Sequence, residues 1–301
     1  MATTAIAQVR RFNRTVTEGI GVLDGHFLGR NRPVGEARLL WEIGADGIEV
    51  RTLRARLGLD SGYVSRVLRS LERQQLARVR TSRADRRVRY ASLTKAGLTE
   101  RAELDRRSDA LASRILEPLN GRQRAALLAA MTEVERLIEA SMVTFAVDDA
   151  AGADARWCFE QYFAELDERF EEGFDPARSL PVTPADLTPP AGALVIARLR
   201  GRPIGCGAVI VSHPHPAHIR RMWVSSEVRG LGVGRRLLQH LEQVAFDLGA
   251  RKVRLDTHRS LTEAIAMYRR SGYTEGTPAS DERYADYWFE KRLTSRRPSR
   301  R

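Results

Sequence analysis

Between Val224 and Leu238 the chain reads Val-Ser-Ser-Glu-Val-Arg-Gly-Leu-Gly-Val-Gly-Arg-Arg-Leu-Leu, with glycine at every second position at Gly230, Gly232 and Gly234. An apolar run ends just before it and a leucine-bearing helical rhythm starts just after it, so the glycines mark a bend from strand to helix. Bare backbone at a helix start leaves N–H groups unshielded where the helix dipole is positive, and such a bend expects an anion such as a phosphate. Spacing excludes two common phosphate motifs. A dinucleotide fold asks for G-x-G-x-x-G, whose last position falls here on Arg235, and a P-loop asks for Gly-Lys-Ser/Thr, whereas Gly234 is followed by arginine.

A chain of 301 residues is long enough for two domains, each burying its own core. It contains no apolar run of membrane-spanning length, and its first residues lack the order of a secretory signal, so a soluble cytoplasmic protein with no membrane partner is expected. Cys158 and Cys206 fit no zinc spacing and are too few for a disulfide framework; they read as small buried apolar residues. No metal site is expected, and His213 and His215, in Ser-His-Pro-His-Pro, read as a solvated loop.

The formal charge of +12 is unevenly spread. Residues 51–95 hold 13 Lys or Arg against Asp60, Glu72 and Asp85, and residues 291–301 add six more basic residues and no acid. The remainder of the chain is net negative, so the basic character is local and suggests a polyanionic partner.

Ile6, Val9, Phe12, Val16, Ile20, Leu23 and Phe27 recur at steps of three and four, which predicts an amphipathic helix over 5–28. The same rhythm returns over 98–119 and 122–143, with Leu127, Met131, Val134, Ile138 and Met142 on one face. Long helices flanking a compact middle suit a dimer interface. After Phe145 a small acidic stretch without apolar period reads as a linker. Beyond it the pattern predicts a helix at 157–170, a Pro-rich loop region, strands at 193–199, 204–211 and 218–224, a helix at 232–248, a strand at 252–257, a helix at 261–271 and strands near 273 and 285–292.

Residues 36–93 read as helix, short helix, turn, helix and two basic strands. Asp60 is placed to cap the helix that follows. Val64, Val67, Leu68 and Leu71 share one face of it, and Ser61, Ser65, Arg66, Arg69 and Arg73 the other, a face able to enter a major groove. A solvated basic helix face shares this composition. The hairpin tip Arg83-Ala-Asp-Arg-Arg87 could place a guanidinium at a minor groove or phosphate. Leu53–Glu72, the Asp85-Arg-Arg87 wing and Leu93-Thr-Lys-Ala-Gly97 resemble the winged-helix core of MarR-type regulators, over roughly residues 5–143. The resemblance implies a homodimer built from the terminal helices, a recognition helix at 61–74, and double-stranded DNA as partner. It puts Ser61, Gly62, Tyr63, Ser65, Arg66, Arg69, Arg83, Arg86 and Arg87 at the DNA.

Arg229-Gly-Leu-Gly-Val-Gly234 resembles the R-x-x-G-x-G pattern of the GNAT superfamily of acyl-CoA-dependent N-acetyltransferases. Arg221-Met-Trp-Val224 before it and Leu255–Tyr273 after it are similar to the family's splayed strand and its closing strand, helix and Tyr-x-x-x-Gly-aromatic segment. The likeness spans about 155–293. It implies acetyl-CoA as co-substrate, with Arg229, Gly230, Leu231, Gly232, Val233, Gly234 and Arg235 around its pyrophosphate. Met222, Trp223 and Val224 would lie along the pantetheine arm. Tyr268 matches the tyrosine that protonates the leaving thiolate, although a tyrosine packed on its helix is the competing assignment. His218 stands where many members carry glutamate and could serve as base, or be structural. His258 replaces a common asparagine near the cofactor.

The fold expected is therefore two-domain: a mainly α winged helix-turn-helix domain over 1–145, a linker at 146–156, an α/β mixed-sheet GNAT acyltransferase domain over 157–294 and a basic tail at 295–301. The function expected is a bacterial DNA-binding transcriptional regulator carrying an N-acetyltransferase that acts on a small-molecule or protein amine. The alternative is a regulator whose GNAT-like half senses acyl-CoA without turnover.

Overall fold

The computed structural model describes residues 2–20, 27–82, 85, 87–212, 214–278 and 282–294. The chain forms two compact units that divide at Glu133/Val134, and each is treated separately.

The first unit opens with α1 (Ala2–Gly19), which ends where Gly19 weakens the helix, short of the 5–28 span expected from periodicity. Leu23 lies outside the described residues. There follow α2 (Val34–Ile43), the short strand β1 (Ile48–Glu49), α3 (Val50–Leu57), α4 (Ser61–Arg73), strands β2 (Ala77–Thr81) and β3 (Arg89–Leu93), α5 (Lys95–Leu116) and α6 (Gly121–Met142), within which the unit boundary falls. The strands form an antiparallel sheet in the order β1-β3-β2. Leu39, Leu40, Leu53, Val64, Leu68, Leu71, Ala91 and Leu104 bury the core between the helices and this sheet.

Local chemistry sets the helix ends. Gly58 takes the left-handed conformation that closes α3, and Asp60 Oδ1 accepts from the Tyr63 amide at 2.9 Å. Thr94 caps α5 by accepting from the Gly97 amide at 3.1 Å, while its hydroxyl donates to the Gln75 carbonyl. Gly97 is required sterically, because a Cβ there would lie 1.9 Å from the Leu76 carbonyl oxygen. The Leu-Thr-x-x-Gly signature is thus a cap followed by a close helix–backbone crossing.

The second unit is built on a seven-stranded sheet. In chain order its elements are β4 (Thr144–Asp148), α7 (Ala153–Arg169), β5 (Gly192–Leu199), β6 (Arg202–Ile210), β7 (Ala217–Val224), α8 (Val233–Asp247), β8 (Lys252–Thr257), α9 (Thr262–Arg270), β9 (Thr274–Gly276) and β10 (Tyr287–Arg292). The strand order is β4-β5-β6-β7-β8-β10-β9. Every pairing is antiparallel except β7 with β8, which is parallel and registered only at Ala217↔Val253 and His218↔Arg254. Beyond His218 the two strands no longer pair, and the sheet opens there. Side chains alternate across it: Val195 and Val209 meet α8 and α9 on one face, while Leu194, Ile196, Cys206 and Ala208 meet Cys158 of α7 on the other. Both cysteines are buried and free.

The linker expected at 146–156 is corrected here. Val147 pairs with Val195 inside the sheet, and α7 starts at Ala153. The acidic residues that break the apolar period are structural: Asp148 and Asp154 both receive the Arg198 guanidinium, and Asp149 Oδ1 accepts from the Ala151 amide in the turn between them. The expected tail, 295–301, lies outside the described residues.

Candidate functional site

The glycine bend sits where β7 gives way to α8. Gly230 and Gly232 both adopt φ +76°, a conformation in which side chains other than glycine are strained. A Cβ on either would meet no atom within 4 Å, so the backbone is open on that side. Gly232 stands immediately before α8, whose first N–H groups have no acceptor within the helix. The Val228 and Arg229 amides already donate, to the Ser225 carbonyl at 3.2 Å and the Ser226 carbonyl at 3.3 Å.

This bend forms one wall of a cleft of about 580 Å³, closed by Met222, Trp223 and Val224 of β7, Glu165 and Arg169 of α7, and Met267 and Tyr268 of α9. The lining carries Arg169, Arg229, Arg235 and Arg270. Glu165 balances part of that charge: it accepts from Trp223 Nε1 at 2.8 Å and pairs with Arg169 and Arg229. Burial opposes ionisation of Glu165, but these donors outweigh it and hold the carboxyl below its ordinary range. Arg229 also donates to the Val224 carbonyl from Nε at 3.0 Å and from Nη2 at 2.9 Å. Leu231 packs with Val228 and Val233 beneath the bend.

A smaller chamber of about 90 Å³ adjoins this cleft, and Tyr162, Leu166, Met222, Leu261, Ala264 and Tyr268 line both spaces. Tyr268 is therefore at their junction. Burial, helped by the nearby Asp256 charge, raises its phenol pKa well above the ordinary value, so its proton is retained at any physiological pH. His218 is 8% exposed and does not line the chamber. Its Nε2 lies 2.6 Å from Asp256 Oδ1, and it is Asp256 whose carboxylate reaches the chamber wall. Direct proton abstraction by His218 is thus corrected to a position behind an acid. His258 is also moved: it lines the small chamber, not the glycine cleft. Its ring lies 4.0 Å from that of Phe170, and its Nδ1 accepts from the Ser260 amide at 3.2 Å. Burial lowers its pKa more than Asp286 raises it.

In the first unit, α4 buries Val64, Leu68 and Leu71 and exposes Ser61, Gly62, Arg66 and Arg69, with Ser65 half-buried. Arg66, Arg69 and Arg87 have no carboxylate partner among the described residues, and Arg69 Nε donates to the Ser65 carbonyl at 3.2 Å. Tyr63 departs from the expected groove-facing role: its hydroxyl lies 2.1 Å from where a Cβ on Gly35 would stand, so it packs on the start of α2. Arg83 and Arg86 lie outside the described residues. Arg87 is exposed beside the wing turn, where its amide donates to Asp85 Oδ1 at 2.8 Å.

Comparison with known proteins fits this division. Residues 155–273 match the acetyltransferase (GNAT) family model, and residues 28–88 match the MarR family model. The chain thus carries one segment similar to the MarR family and another similar to the GNAT family, here called the MarR segment and the GNAT segment. An IAA acetyltransferase of Azospirillum brasilense is 32% identical over 93 residues, covering 31% of this chain and 61% of that protein. An uncharacterized N-acetyltransferase of Schizosaccharomyces pombe is 33% identical over 92 residues, covering 30% and 56%. The chain thus spans about three fifths of the length of these curated relatives. Among solved structures, a GNAT-family acetyltransferase of Staphylococcus aureus has a TM-score of 0.43 at 12% identity and covers 50% of this chain and 99% of its own. The PcaV transcriptional regulator of Streptomyces coelicolor has a TM-score of 0.38 at 21% identity and covers 44% and 97%.

Within the GNAT segment, sequence reasoning missed Asp256, Glu165 and Glu282. Asp256 was within reach, since it follows Leu255 on a strand whose alternation puts it opposite the core-facing residues. Glu165 and Glu282 carry no local signal; their roles come from partners distant in sequence. Among the described residues no helix is long and apolar enough to cross a membrane.

Proposed function

We propose that the GNAT segment is an acetyl-CoA-dependent N-acetyltransferase acting on an amine, and that the MarR segment binds duplex DNA as a homodimer. The observation that carries the enzymatic reading is Tyr268, which lines both the cleft walled by the glycine bend and the adjoining chamber.

The cleft fits the co-substrate. Gly230 and Gly232 line the cleft with bare backbone, the free N–H groups of α8 suit a pyrophosphate, and Arg235 and Arg270 add cations to the lining. Arg229 would stay paired with Glu165 or turn to the phosphates. The backbone of Met222, Trp223 and Val224 borders the place for the pantetheine arm. Acetyl-CoA would supply the acyl thioester, and transfer to an amine forms an N–C bond, breaks the C–S bond, releases one proton from nitrogen and places one on sulfur.

The chain supplies both proton sites. Asp256 lines the chamber, and its carboxylate receives the amine proton, oriented by His218. Tyr268 keeps its own proton until negative charge builds beside it, then donates. His218 is a positioning residue in this scheme, and Tyr268 and Asp256 are the catalytic ones.

Support for DNA binding comes from the unpaired basic face of α4, and support for dimerisation from α1, where Ile6, Val9, Phe12 and Val16 are 40–58% exposed. Calorimetric titration with acetyl-CoA, followed by thiol release with an amine panel, tests the enzyme. Binding without turnover would reduce the segment to an acyl-CoA sensor, and no binding would remove both roles.

A further inference from the structure

The chamber beyond Tyr268 is lined by a half-buried cation, Arg221, and a buried carboxylate, Glu282, whose bonding is incomplete. Arg221 sits at a bulge in β7: Cys206 is registered with Trp223 and Ala208 with Arg220, so Arg221 and Met222 together oppose Gly207. Arg221 accommodates the extra residue with φ +52°, a conformation costly for a side chain of this size. The bulge makes two consecutive arginines, Arg220 and Arg221, line one chamber, which an unbroken strand would send to opposite faces.

The two arginines are treated differently. Arg220 is saturated: it pairs with Glu282 and donates to the Leu180 carbonyl at 3.0 Å. The guanidinium of Arg221 lies 4.9 Å from the Phe159 ring centre and 5.4 Å from that of Phe163, and it has no carboxylate partner among the described residues. Burial and the neighbouring Arg220 charge both lower its pKa. A cation held this way lacks an anion.

Glu282 has the complementary deficit. Its Oε2 takes Arg220, the Ser179 hydroxyl at 2.8 Å and the Leu180 amide at 3.0 Å. Its Oε1 is buried with no hydrogen-bond donor among the described residues. One chamber is therefore lined by a cation without a carboxylate partner and by a carboxylate with one unanswered oxygen, and it is walled by Phe170, Phe174 and Tyr284.

We infer that the acceptor is a compact amino acid, whose carboxylate pairs with Arg221, whose amine, having lost one proton to solvent on entry, lies beside Glu282 and yields a second proton to Asp256 as the N–C bond forms, and whose side chain rests on the aromatic wall. This rests on the acetyltransferase reading and narrows it: an amine without a carboxylate leaves Arg221 unpaired, and a charge left unpaired in a buried site discriminates strongly.

The test compares matched pairs with the full-length protein and acetyl-CoA: phenylalanine against 2-phenylethylamine, and leucine against 3-methylbutylamine. Thiol release is expected to favour the amino acid of a pair by about 100-fold in kcat/KM. The Arg221→Ala variant should collapse that ratio by at least about 10-fold through KM for the amino acid, and Arg221→Lys should restore part of it. Because Arg221→Ala could disturb the bulge, calorimetric titration of the amino acids into the CoA-loaded parent gives a second readout, in which they should bind and the decarboxylated amines should not. Turnover with equal or better use of the decarboxylated amines overturns the proposal and leaves acetyl transfer standing. Acetyl-CoA binding with no turnover on any amine overturns acetyl transfer, and the proposal with it.

Discussion

His218 Nε2 lies 2.6 Å from Asp256 Oδ1, reaching along β8 from the last rung at which β7 and β8 still pair. The contact is made where the sheet begins to open, so the histidine is enclosed while the acid faces the chamber. Removing the acid and removing its support should therefore differ. Asp256→Asn keeps the shape and loses the proton acceptor, and kcat should fall about 100-fold or more. His218→Gln should lower kcat less, since the carboxylate stays and only the group that orients it is changed. Equal losses in the two variants would place the proton elsewhere.

Gly232 precedes α8 in a conformation with φ +76°. Gly232→Ala costs about 1 kcal/mol of stability from backbone strain and puts a methyl group on the bare backbone; Gly232→Glu adds bulk and a like charge where phosphate is expected. Calorimetry should show weaker acetyl-CoA binding by the alanine variant and none by the glutamate variant. Unchanged affinity in both would mean that the bend does not contact the co-substrate.

What was legible in sequence was local. The strand, helix and bend of 217–257 follow from apolar periodicity and glycine placement, and the winged-helix order follows from Asp60 and the Leu-Thr-x-x-Gly turn. What was not legible depends on pairing across distance. The strand at Thr144–Asp148 is hidden because its acid, Asp148, binds Arg198, 50 residues away. His218 invites a role as base when seen alone, and only the approach of Asp256 puts an acid between it and the chamber. His258 resembles a cofactor residue by alignment with a motif, yet it lies against the ring of Phe170 and lines the small chamber, not the glycine cleft.

Gly97 tests the crossing of α5 over the segment after α4. A methyl group there would stand 1.9 Å from a main-chain oxygen, and backbone cannot swing aside as a side chain does. Gly97→Ala should destabilise the first unit by about 1–3 kcal/mol or more, seen as an early transition in thermal or urea unfolding. A two-transition melt in which neither step moves would contradict the packing.

The second unit should lose stability in mild acid. Burial depresses the pKa of both His240 and His258, so the unfolded chain binds more protons than the folded one once pH falls below the ordinary histidine value of about 6.5. Stability is then fully present above that pH and declines as pH drops towards the folded pKa values. Denaturant midpoints at pH 7.5 and 5.5 should differ, and His258→Asn should flatten the dependence while leaving the His240 part. A variant with the parent's slope would show that His258 is not the group being charged.

DNA affinity should carry the signature of the basic segment rather than of total charge. Arg66 and Arg69 project from the exposed face of α4, and Arg87 stands at the wing. Each arginine that touches a phosphate releases a counterion, so log affinity against log salt concentration loses about one unit of slope per such contact removed. Fluorescence anisotropy with a random-sequence duplex of about 30 base pairs measures this sequence-independent part. The parent should show a steep negative slope, and Arg66→Ala, Arg69→Ala and Arg87→Ala shallower ones. Arg122→Ala, outside the segment at 51–95, should match the parent, because charge on a residue that meets no phosphate contributes little at physiological screening. If the four variants instead lose affinity equally, binding is diffuse, and the recognition-helix assignment fails even though the fold stands.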